Sequence, residues 1–274
     1  MSLRARLQSA LWMIPLAVLA ILYLPTPYMA GIMALVVLGG LHEWAGLAGL
    51  SGNPYKLLYV LANAIVIAGL AWTDTPDNTG LKSAVLIGAL FCLVCLAWLK
   101  HFNFGRERSA RNRNIKLAAG SLSCIPAWAA LVLLHGGNDG PAWTLFAIGM
   151  IAASDSGAYL FGVNFGKRKL APNISPGKSW EGFWGGLFTT TAFALLCMPL
   201  FTDGIADAWR FALLGLTTAL FSVSGDLFES LLKRHAQVKD SSGLIPGHGG
   251  ILDRLDSIVS GLTVFTLAKF WLGL

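Results

Sequence analysis

The chain has 274 residues and a net charge of +6, and 55% of its residues are hydrophobic while only 12% are charged. A soluble domain carries about 25% charged residues to keep its surface wet, so this composition excludes a soluble globular protein. The basic residues lie in short gaps between apolar runs and form no stripe with interleaved aromatic side chains. We therefore expect a membrane protein without a nucleic-acid partner.

Nine apolar runs predict membrane-spanning helices, because about 18 apolar residues suffice to cross a bilayer. In chain order they are residues 10–24, 28–47, 57–72, 81–99, 117–134, 142–163, 182–201, 209–229 and 255–273. The first run is predicted to be a retained helix rather than a cleaved signal peptide. We predict an all-α, polytopic integral membrane protein with one membrane-embedded domain over residues 1–274. In it, N-terminal helices (1–135) precede catalytic helices and cytoplasmic loops (142–274).

The distribution of basic residues predicts how these spans are oriented. If the N-terminus is cytoplasmic, all 20 lysine and arginine residues except Lys82, Arg210 and Lys269 lie on the cytoplasmic side. Such a bias is the usual signal for membrane orientation. The basic segment 100–116 is interpreted as part of this signal, which also attracts anionic lipid headgroups, in preference to a catalytic role.

Carboxylates at membrane depth indicate where the functional site lies, because ionised groups are costly there. The acidic residues within or near the predicted spans are Glu43, Asp155, Glu181, Asp226, Glu229, Asp253 and Asp256. All of them lie toward the predicted cytoplasmic side or at mid-depth. We therefore expect a site that opens to the cytoplasm.

The segment 224–256 combines acids, basic residues and glycines. Asp226, Glu229 or Ser230, and Lys233 recur at spacings of three or four residues, so they share one face of a helix. Glycines between residues 243 and 250 let backbone N–H groups approach an anion closely.

The same segment ends in Asp253 and Asp256, which present two carboxylates on one side of the last predicted helix. Magnesium is usually held by one or two carboxylates together with substrate phosphates. Metal ions and basic groups neutralise the charge that develops on phosphorus and on a departing pyrophosphate. The segment therefore predicts phosphoryl or nucleotidyl transfer.

A second segment, residues 154–186, places Asp155 inside an apolar run and a basic, turn-rich loop before the next helix. Lys178 and Ser179 precede that helix, and a helix N-terminus is a natural phosphate site. The loop is not a Walker A motif, because Pro172 stands where that motif requires glycine.

These residues resemble the signature of the phosphatidate cytidylyltransferase (CDP-diglyceride synthetase) family. The signature positions are occupied here by Ser230, Lys233, Arg234, Lys239, Asp240, Ser242, Ile245, Pro246, His248, Gly249, Gly250, Ile251, Asp253, Arg254, Leu255 and Asp256. The upstream segments SDSGAY and SPGKSWEG and the adjacent Glu43 and Trp44 also look like those of the family. The resemblance covers the chain at matching length, with its specific motifs in residues 154–256.

The resemblance implies an enzyme that makes CDP-diacylglycerol and pyrophosphate from CTP and phosphatidate, in phospholipid biosynthesis. It implies an all-helical fold in the inner membrane of a bacterium, with the active site facing the cytoplasm. It also implies Mg²⁺ with K⁺ as a second ion, and a homodimer surrounded by membrane lipids. The metal carboxylates of the family correspond to Asp226, Asp253 and Asp256.

The expected reaction is in-line attack of a phosphatidate oxygen on the α-phosphorus of CTP. Because that oxygen is already ionised, positioning and charge neutralisation suffice for catalysis. The predicted catalytic residues are Asp226, Lys233, Asp253 and Asp256. The predicted substrate-binding residues are Lys178, Ser179, Ser230, Arg234, Lys239, Gly247, His248, Gly249, Gly250 and Arg254.

Several residues have structural alternatives that the sequence leaves open. Asp226 and Asp253 could instead form structural ion pairs with Lys233 or Arg254. Glu181 is expected to cap the N-terminus of its own helix rather than to act in catalysis.

Two other functions would use similar groups. A CTP-dependent polyprenol or lipid kinase would transfer the γ-phosphoryl group and would need a base for the hydroxyl. A cation transporter would use Asp155, Asp226 and Asp253 as ion sites, although no internal repeat of the kind typical of transporters is evident.

The role of His248 also has two interpretations, since it is either an acid toward pyrophosphate or a structural hydrogen-bonding group.

Overall fold

The computed structural model describes residues 15–72, 77–244 and 249–274. Within these ranges, eight helical segments are long and apolar enough to cross a membrane. Their helices are α1 (Thr26–Leu47), α2 (Asn53–Trp72), α3 (Thr79–Lys100), α4 (Ala110–His135), α5 (Gly140–Phe165), α6 (Trp180–Cys197), α7 (Ala208–Ala236) and α8 (Leu252–Leu272). Two 3₁₀ turns, Met198–Leu200 and Ile205–Asp207, join α6 to α7. Residues 15–23 are also helical, so the first predicted span lies only partly within the described residues.

The prediction of an all-α polytopic membrane protein is confirmed, and each apolar run from 28–47 onward corresponds to one helix. The helices extend beyond several of these runs. Helix α7 continues to Ala236, seven residues past the predicted end (236 − 229). Lys233 and His235 in this extension are 9% and 6% exposed. Hydropathy falls there, but protein packing rather than lipid covers the added turns, so the helix continues.

The helices alternate in direction, so their connections fall at two ends of the bundle. Thr26 at the start of α1 contacts His135 at the end of α4, with 2.9 Å between Oγ1 and Nδ1. One end, called the site face below, carries residues 48–52, 101–109, 166–179 and the described parts of 237–251. The opposite end carries the remaining described connections.

Helix α8 lies at the centre of the bundle and packs against α7, α4, α3, α5 and α1. Helices from both predicted parts of the chain therefore share one core, which includes the fully buried Trp128 and Phe265. Helix α2 lies at the edge, where only Asn63 and Ile67 are buried. Its exposed apolar side chains are those that a bilayer would cover.

A close approach of α7 and α8 brings their acidic residues together. A Cβ atom at Gly225 would lie 2.6 Å from the backbone oxygen of Asp256. Only glycine permits so short a distance between the two helices. Asp226, the next residue, consequently lies beside the first turn of α8.

A two-stranded antiparallel hairpin, β1 (Lys169–Ala171) and β2 (Ser175–Ser179), lies on the site face where the sequence predicted only a turn-rich loop. Glu181 at the start of α6 holds its base. The Oε2 atom of Glu181 accepts hydrogen bonds from the backbone N–H groups of Lys167 (3.0 Å) and Arg168 (3.2 Å). The hairpin is thereby fixed to α6, and Lys178 is carried on its second strand.

Candidate active site

A buried ion-pair network joins α7 to α8 on the site face. The Nζ atom of Lys233 lies 3.0 Å from Oε1 of Glu229 and 2.8 Å from Oδ1 of Asp253. The side chains of Glu229 and Asp253 are only 2% and 8% exposed. Because a buried charge is costly unless it is paired, the lysine and the two carboxylates depend on one another. Two predicted catalytic residues, Lys233 and Asp253, are thus in direct contact.

Asp253 also organises the glycine-rich loop that precedes α8. Its Oδ2 atom accepts hydrogen bonds from the backbone N–H of Ser241 (2.9 Å), the hydroxyl of Ser241 (2.9 Å) and the N–H of Gly250 (2.8 Å). Gly249 has φ = +83°, in the left-handed region that favours glycine. Both ends of the loop therefore converge on one carboxylate.

Glu43, near the end of α1, holds the same loop from a third helix and is 7% exposed. Its Oε1 atom accepts hydrogen bonds from Ser242 Oγ (2.5 Å) and the N–H of Ile251 (3.0 Å). Its Oε2 atom accepts from the N–H of Leu252 (2.8 Å) and lies 2.9 Å from Ser241 Oγ, whose single proton is shared with Oδ2 of Asp253. A carboxylate at the N-terminus of α8 is favoured by the helix dipole, and hydrogen bonds to a charged acceptor are the stronger kind.

Asp226 faces the hairpin rather than Lys233. Its Oδ2 atom lies 2.5 Å from Lys178 Nζ, and Ser230 Oγ donates to its Oδ1 over 3.4 Å. The side chains of Lys178 and Asp226 are each 25% exposed, so the pair can be reached from outside the bundle. The structure thus joins a predicted phosphate-binding lysine to a predicted catalytic aspartate.

Asp155 and Asp256 lie within electrostatic range of each other and of Asp226. The hydroxyl of Ser257 donates to Asp155 Oδ1 (3.2 Å), and the N–H of Ser257 donates to Asp256 Oδ1 (2.7 Å). These three aspartates come from α5, α7 and α8. Among the described residues, only Lys178 forms a direct ion pair with any of these aspartates, and its partner is Asp226. The group therefore carries more negative than positive charge.

A cleft of about 420 Å³ opens beside these acids, between α5, β2, α6 and α7. Asp155, Lys178 and Asp226 line its charged part. Tyr159 and Val163 line its apolar part, and they are 69% and 67% exposed on the surface of the bundle. A few converging polar groups within apolar walls are typical of a small-molecule site. This cleft suits a molecule with a charged head and an apolar tail.

Comparison with known proteins places the chain in a family. The chain matches the model of the cytidylyltransferase family over residues 4–271. It belongs to this family. The chain is 36% identical to the phosphatidate cytidylyltransferase of Pseudomonas aeruginosa, over 98% of the chain and 97% of the relative. It is also 36% identical to that of Haemophilus influenzae, over 98% of the chain and 99% of the relative, and 45% identical to that of Staphylococcus aureus over 47% of the chain. The resemblance seen in the sequence motifs is confirmed.

In this cytidylyltransferase-family chain, some predicted substrate-binding residues hold the local structure together. Ser179 is the N-cap of α6, and its Oγ accepts from the N–H of Gly182 over 3.1 Å. Arg234 joins α7 to the hairpin, because its Nε donates to the backbone oxygen of Ile174 over 3.0 Å. Lys239 is exposed in the loop that follows α7.

The other predicted substrate-binding residues lie along the loop and the first turn of α8. Gly249 and Gly250 form the described end of the loop, and Arg254 is exposed on α8. Gly247 and His248 lie outside the described residues, so their roles stay predictions.

The acidic residues of this cytidylyltransferase-family chain suit a hard cation by their chemistry. Among the described residues, no three or more aspartate, glutamate, histidine or cysteine side chains are arranged as a metal site. Asp253 uses both oxygens for Lys233 and the loop. In contrast, the aspartates 155, 226 and 256 have carboxylate oxygens of the kind that magnesium prefers, and their charge exceeds that of Lys178. A divalent cation would balance this excess.

The sequence indicated Glu43 as a carboxylate at membrane depth and through the family resemblance, but Glu43 was not among the predicted catalytic, substrate-binding or metal residues. A carboxylate at the end of an apolar run was a usable signal, because ionised groups are rare at that depth. Its partner could not be found from spacing, since Ser241 lies 198 residues away along the chain. The contribution of Ser241 itself was missed, because a serine in a loop carries little information about its contacts.

Proposed function

We propose that the chain transfers the cytidylyl group of CTP to phosphatidate, giving CDP-diacylglycerol and pyrophosphate for phospholipid biosynthesis. The observation that carries this proposal is the cleft in which Lys178 and Asp226 meet beside apolar walls at the surface of the bundle. Phosphatidate has a phosphate head that suits the lysine and acyl chains that suit those walls. The names of the relatives that align over almost the whole chain support the same reaction.

Lys178 is assigned to the phosphate of the lipid. In the structure its ammonium group is paired with Asp226, and an incoming phosphate would exchange with that carboxylate. A phosphatidate oxygen then attacks the α-phosphorus of CTP, forming a P–O–P linkage while the bond to pyrophosphate breaks. The attacking oxygen is ionised at neutral pH, so no strong base is needed, and the protein contributes orientation and charge.

The glycine-rich loop is assigned to the nucleotide. Glu43 and Asp253 hold both described ends of this loop, and its remaining backbone N–H groups are assigned to the phosphate oxygens. Lys233 is enclosed between Glu229 and Asp253, so its first role is to keep those carboxylates and the loop in place. The loop is therefore proposed to contribute to catalysis by positioning the phosphates of CTP.

Magnesium is proposed as the cofactor, with Asp226, Asp253 and Asp256 as the residues that would hold it. When bound, it would neutralise charge on the CTP phosphates and on the departing pyrophosphate. Asp226 and Asp256 lie in the group with excess negative charge, together with Asp155. Asp253 would have to exchange one of its present partners, Lys233 or the loop donors. Potassium is proposed as a second ion.

The site face is proposed to face the cytoplasm of a bacterial inner membrane, and the enzyme is proposed to act as a homodimer. The orientation is supported by the basic residues, since Lys82, Arg210 and Lys269 are the exceptions to their placement on one side. CTP is a cytoplasmic nucleotide, so this orientation gives the candidate site access to its substrate.

The reaction is tested with the purified full-length protein, phosphatidate, Mg²⁺ and CTP labelled at the α-phosphate. We expect the label to enter the lipid fraction only when phosphatidate is present. Label from γ-labelled CTP entering the lipid instead would identify a lipid kinase. Flux of cations through proteoliposomes without any labelled lipid would favour the transporter.

A further inference from the structure

A second polar pocket of about 270 Å³ lies on the site face and contains none of the residues of the candidate active site. It is enclosed by residues 46–49 at and after the end of α1, by residues 107–109 and the first turns of α4, and by the end of α7. Its lining includes Arg108, Arg113, Lys116 and His235. The pocket is therefore small, polar and rich in cationic side chains.

Lys116 is more buried than the arginine and glutamate side chains that line the pocket. It is 6% exposed and lines the pocket. No carboxylate of the described residues pairs with its ammonium group, and the charged group that acts on it is another cation, Arg108. Its place in α4 is fixed, because its backbone oxygen accepts a 2.8 Å hydrogen bond from Trp44 Nε1. A largely buried lysine that pairs with no carboxylate of the described residues favours an anion as its partner.

The surroundings of Lys116 favour the same kind of ligand. Lys116 and Arg106 are the charged groups that act on His235, which is 6% exposed. The Nε atom of Arg113 is buried and has no hydrogen-bond partner among the described residues. Glu107 is the one carboxylate in the lining, and it is exposed to solvent. Positive charge is thus concentrated around the pocket.

The backbone adds to this positive field. Helix α4 has 26 residues and begins at Ala110, which lines the pocket. The hydroxyl of Ser109 accepts a hydrogen bond from the N–H of Asn112, so it satisfies one of the donors of the first turn. The positive end of the helix dipole therefore acts on the pocket, as it does in known phosphate sites.

We propose that this pocket binds a phosphate group, separately from the candidate active site. Two sources share that chemistry: the phosphodiester headgroup of an anionic phospholipid, and free phosphate or pyrophosphate. The pocket lies next to the residues that hold the glycine-rich loop. Residues 46–49 follow Glu43 at the end of α1, and His235 follows Lys233 on α7. Occupancy of the pocket would therefore stabilise the helix ends that hold the catalytic loop.

The test measures thermal unfolding of the full-length protein in nanodiscs of phosphatidylcholine. One arm adds phosphatidylglycerol to the nanodiscs, and a second arm adds inorganic phosphate or pyrophosphate to the buffer. The variants are Lys116→Met and Arg113→Met, with Arg111→Met as the control, since Arg111 is exposed on the same helix and does not line the pocket. Retention of phosphatidylglycerol is followed in parallel by native mass spectrometry.

We expect the anion to raise the unfolding midpoint of the wild type and of Arg111→Met, because a ligand that binds only the folded state stabilises it. In Lys116→Met the anion should bind at least about tenfold more weakly, since one partner of a buried charge pair is lost. Without the anion, Lys116→Met should unfold no earlier than the wild type. Arg113→Met gives a second test that leaves Lys116 in place.

The two arms distinguish the sources. A shift with phosphatidylglycerol alone assigns the pocket to a lipid headgroup, and a shift with phosphate alone assigns it to a soluble anion. Both results support the site. No shift in the wild type, or equal shifts in the Lys116→Met and Arg111→Met variants, would overturn it. None of these measurements depends on enzymatic turnover, so the outcome is separate from that of the proposed reaction.

Discussion

Glu43 of α1 and Leu252 of α8 are joined by a 2.8 Å hydrogen bond between the carboxylate Oε2 and the backbone N–H. The same carboxylate accepts from Ser241 and Ser242 at the other end of the loop. One side chain of the N-terminal half therefore joins the two described ends of the glycine-rich loop in the C-terminal half. The first helices are consequently part of the site and do more than anchor it in the membrane.

Replacing Glu43 with glutamine should lower kcat by at least about tenfold. The amide keeps the size of the side chain, but one of its two acceptor positions becomes a donor that faces the backbone N–H of either Ile251 or Leu252. Losing a charge-assisted hydrogen bond and leaving a buried donor unsatisfied each costs about 1–3 kcal/mol. The measurement is the steady-state rate with CTP and phosphatidate.

Asp203→Asn is the control for this change, because Asp203 is exposed at the opposite end of the bundle. A purely structural role for Glu43 would lower the unfolding temperature while leaving kcat of the folded fraction intact. That result would contradict the assignment of Glu43 as a positioning residue.

The loop offers a matched pair of glycines. A Cβ atom at Gly250 would overlap with the Ser241 hydroxyl and the Glu43 carboxylate, whereas one at Gly243 meets nothing within 4 Å. We expect Gly250→Ala to reduce activity by about two orders of magnitude, because the loop must move away from the carboxylates that hold it. Gly243→Ala should be close to wild type in the same assay. Equal effects of the two changes would show that the loop tolerates displacement.

Most of the fold could be predicted from the sequence, because hydropathy decides which segments enter a bilayer. The helices from α1 onward correspond to predicted runs within a few residues, apart from the site-face ends of several helices. The added turns of α7 are polar but largely buried, as Lys233 and His235 show. Hydropathy alone cannot distinguish a buried polar helix turn from a solvated loop.

The site was predictable in its residues but not in its pairings. The spacing placed Asp226, Ser230 and Lys233 on one helix face, and Asp226 does approach Ser230. The pairing of Lys233 with Glu229 also follows from that spacing, whereas the pairing of Lys233 with Asp253 and of Asp226 with Lys178 of the hairpin does not. Contacts between distant elements depend on helix packing, which the spacing within one helix does not encode.

Lys178→Met should weaken the use of phosphatidate, lowering kcat/KM for the lipid by about 10²-fold, because a charge-assisted contact to the phosphate is lost. KM for CTP should change much less. Lys169→Met is the matched control, since Lys169 is an exposed lysine of the same hairpin. An effect of Lys178→Met confined to CTP would contradict its assignment to the lipid.

Lys233→Met should destabilise the folded protein by about 3 kcal/mol, because Glu229 and Asp253 would be left buried without a cation. The expected result is a lower unfolding temperature in detergent. The double variant Glu229→Gln with Lys233→Met should recover part of the loss, since one of the two unpaired charges is removed. Lys239→Met, at an exposed position beyond the end of α7, should unfold like the wild type.

Asp226→Asn tests the proposed metal role against a purely electrostatic role toward Lys178. If Asp226 helps to hold magnesium, the variant should need at least about tenfold more Mg²⁺ for half-maximal activity, because an amide is a weaker ligand than a carboxylate. Removing divalent ions with EDTA should abolish activity of the wild type, and Mg²⁺ should restore it. Lys178→Met keeps the carboxylate, so its Mg²⁺ dependence should not shift toward higher concentrations.

Asp240→Asn is a second control for this prediction. Asp240 is exposed on the same face of the protein, so this variant should behave like the wild type. An Asp226→Asn variant with reduced activity but an unchanged Mg²⁺ requirement would show that this carboxylate orients Lys178 and does not bind the metal.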